Sequence, residues 1–211
     1  MQDIGTVVWD VGGVLIPETG GRVDREVAKF LGVKVDRLKQ ITGELKPRAT
    51  SGNITLEELY EKVIEKLGLK LAASTAVERH MEAYEKHATK VDAGILRLID
   101  GLTKAGIVSL ALTNTEREVY EYNSRRGLWG FYPGGVIASV VEGVGKPHPL
   151  IYGAVFRKIG RERGVVYIDD NKKYVRGAEE SGMKGVHYRQ YGRAEELGKK
   201  LKIDFGISTG V

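Results

Sequence analysis

Asp10 is a lone carboxylate delivered by the apolar run Val7-Val8-Trp9 into a pair of glycines, Gly12 and Gly13. Three further stretches end in reactive side chains: Leu110-Ala111-Leu112 in Thr113-Asn114, Gly143-Val144-Gly145 in Lys146, and Val165-Val166-Tyr167-Ile168 in Asp169-Asp170. Carboxylates brought together raise one another's pKa unless a cation stands among them. With no Cys and only four scattered His, an oxygen donor set of this kind favours Mg2+ over zinc. Mg2+ takes one or two carboxylates and keeps room for waters and a substrate phosphate, which leaves an Asp oxygen free to attack. A lysine and a hydroxyl can hold the phosphoryl oxygens as charge redistributes in the transition state. The chemistry that uses every part is phosphoryl transfer through an aspartyl-phosphate.

Taken singly, each group has a plainer role. An Asp after a strand is often a turn former, and Thr113-Asn114 or Asp169-Asp170-Asn171 suit a helix N-terminus. A Walker A loop at Lys146 is excluded, since that motif needs Gly where Val140 stands and Ser or Thr where Pro147 stands. His80 and His87 share a helix face at a spacing of seven but have no acidic or Cys partner in sequence, and are expected to face solvent.

The reactive groups need a scaffold that gathers strand ends, and the pattern supplies one. Short apolar, largely β-branched runs predict strands at residues 6–9, 107–113, 165–169 and 185–188, with a further apolar piece at 135–138. Helical periodicity separates the later ones. One helix covers residues 92–104, and another begins at a capping box formed by Thr115 and Glu118 and ends at Gly127. Strands alternating with helices predict an α/β fold with a parallel sheet, whose ligands sit at the carboxyl ends of the strands. Asp10, Thr113 and Asp169 would then meet on one rim.

Between the first strand and this array, residues 17–90 show no strand signal and read as helices at 23–31, 36–45, 55–67 and 74–89. The third is marked by Thr55 and Glu58 as a capping box and by an apolar stripe of Leu56, Leu59, Tyr60, Val63, Ile64 and Leu67. A chain of 211 residues exceeds one domain of ~100–150 residues, and a helical insertion explains the excess. The net charge is +5, but the Lys and Arg are mixed with Glu along the chain and no nucleic-acid motif is present. No leader or run of ~18 apolar residues is seen, so a cytoplasmic protein without membrane or nucleic-acid partners is expected. Oligomeric state is not legible.

The motifs WDVGGVL at Asp10, LTNT at Thr113, GKPHPLIY at Lys146 and YIDDN at Asp169-Asp170 occur in an order and at separations that resemble the haloacid dehalogenase (HAD) superfamily, over essentially the whole chain. The resemblance implies a Rossmann-like core, residues 1–16 and 91–211, and an α-helical cap, residues 17–90, that closes over substrate. It implies Asp10 as nucleophile, Thr113 and the Asn114 N–H as phosphate binders, and Lys146 as the charge neutraliser. Asp10, the Gly12 carbonyl and Asp170 would hold Mg2+, with Asp169 acting through a water or from behind.

Phosphatases of the family commonly carry a second Asp, the proton shuttle, where this chain has Gly12. The expected substrate is therefore a small phosphorylated metabolite with a good leaving group, such as a sugar-1-phosphate. His148, two residues beyond Lys146, is the nearest alternative shuttle, although a role at the helix start is expected. The competing readings are a metal-independent haloacid dehalogenase and a non-catalytic binding module of the same fold. A phosphoacceptor receiver is disfavoured because its acidic pair precedes the phosphorylated Asp.

Overall fold

The computed structural model describes residues 4–160, 164–189 and 191–207. Five parallel strands form one sheet in the order β3-β2-β1-β4-β5: β1 (Thr6–Trp9), β2 (Val108–Thr113), β3 (Val136–Ala138), β4 (Val165–Asp169) and β5 (Lys184–His187). The register pairs Trp9 with Ala111 on one side and with Ile168 on the other. β1 thus ends beside Ala111 and Ile168, short of the ends of β2 at Thr113 and β4 at Asp169, and the α/β parallel sheet expected from the sequence is present.

Alternation along the strands sends side chains to two apolar layers. Val7, Trp9, Ala111, Val166 and Ile168 face one. Val8, Leu110, Leu112, Val165 and Tyr167 face the other. The second layer is closed by α9 (Pro149–Ile159), through Ile151, Tyr152 and Val155, and by Ala178 of α10 (Lys172–Glu180). The first is closed by α6 (Ala93–Lys104), through Ile95, Leu98, Ile99 and Leu102, and by Leu197 and Leu201 of α11 (Ala194–Phe205).

Five helices lie between β1 and α6: α1 (Gly20–Phe30), α2 (Val35–Thr42), α3 (Leu45–Thr50), α4 (Leu56–Leu67) and α5 (Ala73–His87). The capping box of α4 forms as expected. Thr55 Oγ1 accepts the Glu58 N–H at 3.0 Å and Glu58 accepts the Thr55 N–H at 2.7 Å. Its stripe is buried from Leu56 to Ile64, while Leu67 is half-buried. α1 starts three residues earlier than its apolar pattern suggests, because Glu18 accepts the Gly21 N–H at 3.0 Å.

The helix expected over residues 36–45 ends instead at Thr42, and a short helix that the sequence pattern does not suggest, α3, follows from Leu45. Pro47 has no N–H to continue the ladder back to Gly43 and is tolerated only in a first helical turn.

The connection from β2 to α7 (Arg117–Arg125) also departs from expectation. Thr115 and Glu118 do not form a capping box; the helix begins past Glu116, with no side-chain cap. The Thr115 N–H is drawn instead to Ser139 Oγ at 3.0 Å, and Ser139 donates to the Thr50 carbonyl at 2.5 Å. Ser139 opens α8 (Ser139–Glu142), so one hydroxyl ties this loop to α3. Gly127 takes the left-handed conformation expected beyond α7, with φ +73°, and leads into a short 3-10 turn, Leu128–Phe131.

Candidate active site

Asp10 follows β1 directly, its N–H bonded to the Ile168 carbonyl at 2.8 Å, so its side chain emerges between the ends of β2 and β4. Lys146 reaches it from the loop before α9. The Lys146 Nζ donates to Asp10 Oδ1 at 2.8 Å, to Asp169 Oδ2 at 2.9 Å and to the Leu112 carbonyl at 3.1 Å. Its side chain is 1% exposed. Tyr174 and Tyr167 present their rings to the ammonium at 5.1 and 5.7 Å. The lysine backbone is clasped by Asn114, whose Nδ2 donates to the Lys146 carbonyl at 3.0 Å and whose Oδ1 accepts the Lys146 N–H at 2.8 Å.

Asp169 is fully buried and its oxygens are already engaged: one by Lys146 and the Tyr167 hydroxyl, the other by the Asn171 N–H at 2.7 Å. Asp170 is half-buried and presses against Gly13, where an added Cβ would lie 2.2 Å from Asp170 Oδ2. Gly13 has φ +76°, whereas a Cβ on Gly12 would meet nothing within 4 Å. The tight turn after Asp10 therefore belongs to Gly13, not to Gly12.

Asp10, Asp169 and Asp170 each offer a carboxylate oxygen, all within 4.8 Å of one another. Burial and then Asp169 push Asp10 up to about 7, against the pull of Lys146. Asp170 is pushed up to about 6 by burial and then by Asp169. Burial alone would lower Lys146, but Asp10 and Asp169 outweigh it and hold the ammonium charged. The two ends of the Lys146–Asp10 bond thus point differently, because one cation is shared between two carboxylates. Three carboxylates against one ammonium leave negative charge uncompensated, and an all-oxygen set of this kind fits a hard divalent cation such as Mg2+.

Asp10, Gly12, Thr113, Asn114 and Lys146 line one cavity of about 260 Å3. Glu18 and Lys46 also line it. Among the lining residues not legible as site residues are Glu116, His80, Tyr84 and Asn123. His80 corrects the expectation of a solvent-facing ring. It is 6% exposed, and its Nδ1 lies 2.9 Å from the Tyr60 hydroxyl. Burial, with Lys46 nearby, lowers its pKa to about 4, so the ring is neutral. Its spacing from Ala76 and Tyr84, both buried on α5, was the available signal. His87 does have an acidic partner, Glu26 Oε1 at 2.7 Å. His148 is exposed and its Nδ1 accepts the Leu150 N–H at 3.3 Å, a helix-start role away from the cavity lining.

Residues 4–182 match the family of haloacid dehalogenase-like hydrolases. No curated protein matches the chain in sequence. Among solved structures, a HAD family enzyme from Bacteroides thetaiotaomicron superposes with a TM-score of 0.77 at 19% identity, over 93% of this chain and 98% of that one. The same enzyme in complex with magnesium and inorganic phosphate gives 0.70 at 20% identity, over 87% and 93%. A predicted HAD-like hydrolase from Porphyromonas gingivalis gives 0.76 at 22% identity, over 94% and 97%. The L-2-haloacid dehalogenase of Xanthobacter autotrophicus gives 0.61 at 22% identity, over 92% and 82%.

Proposed function

The chain belongs to the haloacid dehalogenase-like hydrolases, and on that premise we propose that it is a Mg2+-dependent phosphatase of small phosphorylated metabolites, acting through an aspartyl-phosphate on Asp10. The observation that carries this reading is the buried ammonium of Lys146 bridging Asp10 and Asp169, beside a third carboxylate on Asp170. Inorganic phosphate and magnesium bound to the Bacteroides enzyme support it.

In this reading an Asp10 oxygen attacks phosphorus, the bond to the leaving oxygen breaks, and hydrolysis of the acyl phosphate returns the carboxylate. The Thr113 hydroxyl and the Asn114 N–H bind phosphoryl oxygens, and Lys146 neutralises charge on them and on Asp10. Asn114 has a further task in its side chain, which fixes the peptide that carries Lys146. Asp10, the Gly12 carbonyl and Asp170 would hold Mg2+, which when bound supplies charge neutralisation for phosphate and nucleophile alike. Asp169, committed to Lys146, Tyr167 and Asn171, acts from behind the metal ligands. Residues 17–90 serve as the cap and residues 1–16 and 91–211 as the catalytic core.

Gly12 leaves the step without a carboxylate to protonate the leaving group, which favours activated esters such as sugar-1-phosphates over alkyl phosphates. The test is Mg2+-dependent turnover of p-nitrophenyl phosphate and a panel of small phosphate esters, abolished by Asp10→Asn. No turnover across the panel rejects the reading. The dehalogenase alternative draws on the Xanthobacter neighbour and on the same missing acid; chloride release from a 2-haloacid without Mg2+ would establish it in place of the phosphatase.

A further inference from the structure

The cavity has two chemically different ends. One holds Asp10, Thr113 and Lys146. The other is formed where Glu116, just before α7, meets the helices that follow β1. Burial raises the Glu116 carboxyl, its own backbone N–H and Lys46 of α3 pull it back, and Asp24 of α1 adds to the rise; its charge in turn acts on Tyr60 of α4 and Tyr84 of α5. The charges acting most strongly on Asp10 are a different set, Asp169 and Lys146.

At this far end Lys46 is bound by Asp24. No hydrogen bond or ion pair joins the Glu116 carboxylate to another side chain among the described residues. Opposite in character is His80, 94% buried by the complement of its 6% exposure and lining the cavity. The Tyr60 hydroxyl has no other acceptor among the described residues, so it donates to Nδ1 and leaves the proton on Nε2, which has no partner. Lys46 and Asp24 act on His80 as they do on Glu116, so an open acceptor and an open donor share one end of the cavity.

We infer that Glu116 and His80 form a leaving-group subsite that selects phosphate monoesters whose organic part is uncharged and hydroxyl-rich, and rejects those bearing a second anionic group. A hydroxyl can donate to Glu116 and accept from His80 Nε2–H, so a polyol satisfies both. A second phosphate or carboxylate would face Glu116 while Lys46 is held by Asp24, and burial magnifies that repulsion. The cavity, at about 260 Å3, is smaller than the ~300–1,000 Å3 of sites for drug-sized ligands, which suits a monosaccharide. This subsite rests on the phosphatase reading of Asp10, and it adds the charge rule and the residues that enforce it.

The test compares glucose 1-phosphate with its bisphosphate counterpart, by kcat/KM for the wild-type protein and by titration calorimetry with Mg2+ for Asp10→Asn. The wild-type preference for the monophosphate is expected to be roughly tenfold or more, and Glu116→Gln, which keeps shape and removes charge, should bring it towards one through KM. His80→Phe should weaken glucose 1-phosphate binding by about fivefold or more while leaving inorganic phosphate binding in place. Equal acceptance of both esters by the wild type, or a preference unmoved by Glu116→Gln, overturns the subsite. If no ester turns over, the phosphatase reading fails by itself. The calorimetric preference and its loss in Glu116→Gln would then still decide the subsite, supporting it if seen and overturning it if not.

Discussion

Gly13 and Asp170 share a space that leaves no room for a side chain: a Cβ on residue 13 would stand 2.2 Å from Asp170 Oδ2. Two glycines adjacent in sequence thereby acquire opposite status. Gly13 is demanded by its φ of +76° and by that contact, whereas Gly12 is free of both constraints.

Gly13→Ala is expected to destabilise the fold by about 1–2 kcal/mol through the left-handed backbone alone. It should also displace Asp170 and raise the Mg2+ concentration needed for half-maximal activity by about tenfold or more. Urea denaturation and a Mg2+ titration of turnover measure the two effects separately.

Gly12→Asp, by contrast, should fold normally and gain activity. On the proposed phosphatase reading, a carboxyl at this position would supply the missing general acid, worth ~10²–10⁴-fold when well placed. The gain should fall on alkyl phosphates and be much smaller on p-nitrophenyl phosphate, whose leaving group needs little protonation. A variant with an unchanged ratio between the two esters would show that leaving-group protonation does not limit the reaction.

Lys146 is the only cation bonded to Asp10 and Asp169 among the described residues. Lys146→Ala strands both carboxylates in a buried site, and a loss of about 3–5 kcal/mol at neutral pH is expected in chemical denaturation. Turnover should fall by roughly 10²–10³-fold. Mg2+ should restore part of the stability, because the cation replaces charge but not the three hydrogen bonds of Nζ.

His80 makes a prediction for acid stability. Its ordinary pKa of 6.5 is lowered to about 4 in the fold. Between those values the unfolded chain holds a proton that the folded chain refuses, so stability declines as pH falls from about 6.5 to about 4, and nothing is lost above that window. The full contribution is about 3 kcal/mol. Comparing His80→Gln with the wild type by urea denaturation across this range isolates it: the variant should show the shallower decline. Equal slopes would place the His80 proton elsewhere.

The rim that gathers Asp10, Thr113 and Asp169 was legible because it follows from strand chemistry alone. Apolar β-branched runs ending in Asp10, Thr113 and Asp169 mark the carboxyl ends of parallel strands, where ligands gather whatever the helices do. Lys146 was legible as a lysine in a glycine-rich loop before a helix. Glu116 and His80 were not, because their meaning arises only when two distant segments meet. His80 finds Tyr60 across 20 residues, and Glu116 faces Lys46 and Asp24 from another part of the chain. The failed capping box at Thr115 has the same origin. Local propensity favoured it, but Ser139, 24 residues on, offered the backbone N–H a buried partner. Local pattern also missed α3, because Pro47 reads as a helix breaker although that helix accommodates it in its first turn.

The apolar layer beneath Trp9 and Ile168 does not stop at the sheet. The same cluster takes in Val23 and Val27 of α1, Leu38 of α2, Leu59 and Val63 of α4 and Tyr84 of α5, together with Leu98 and Leu201 on the far side. The helices after β1 therefore share one continuous apolar interior with the sheet. Loss of one should entrain the other, so that heat unfolds the chain in a single cooperative step, with calorimetric and van't Hoff enthalpies in agreement. Ligand bound at the Asp10 end of the cavity would then raise the melting temperature of the whole molecule at once, helices and sheet alike.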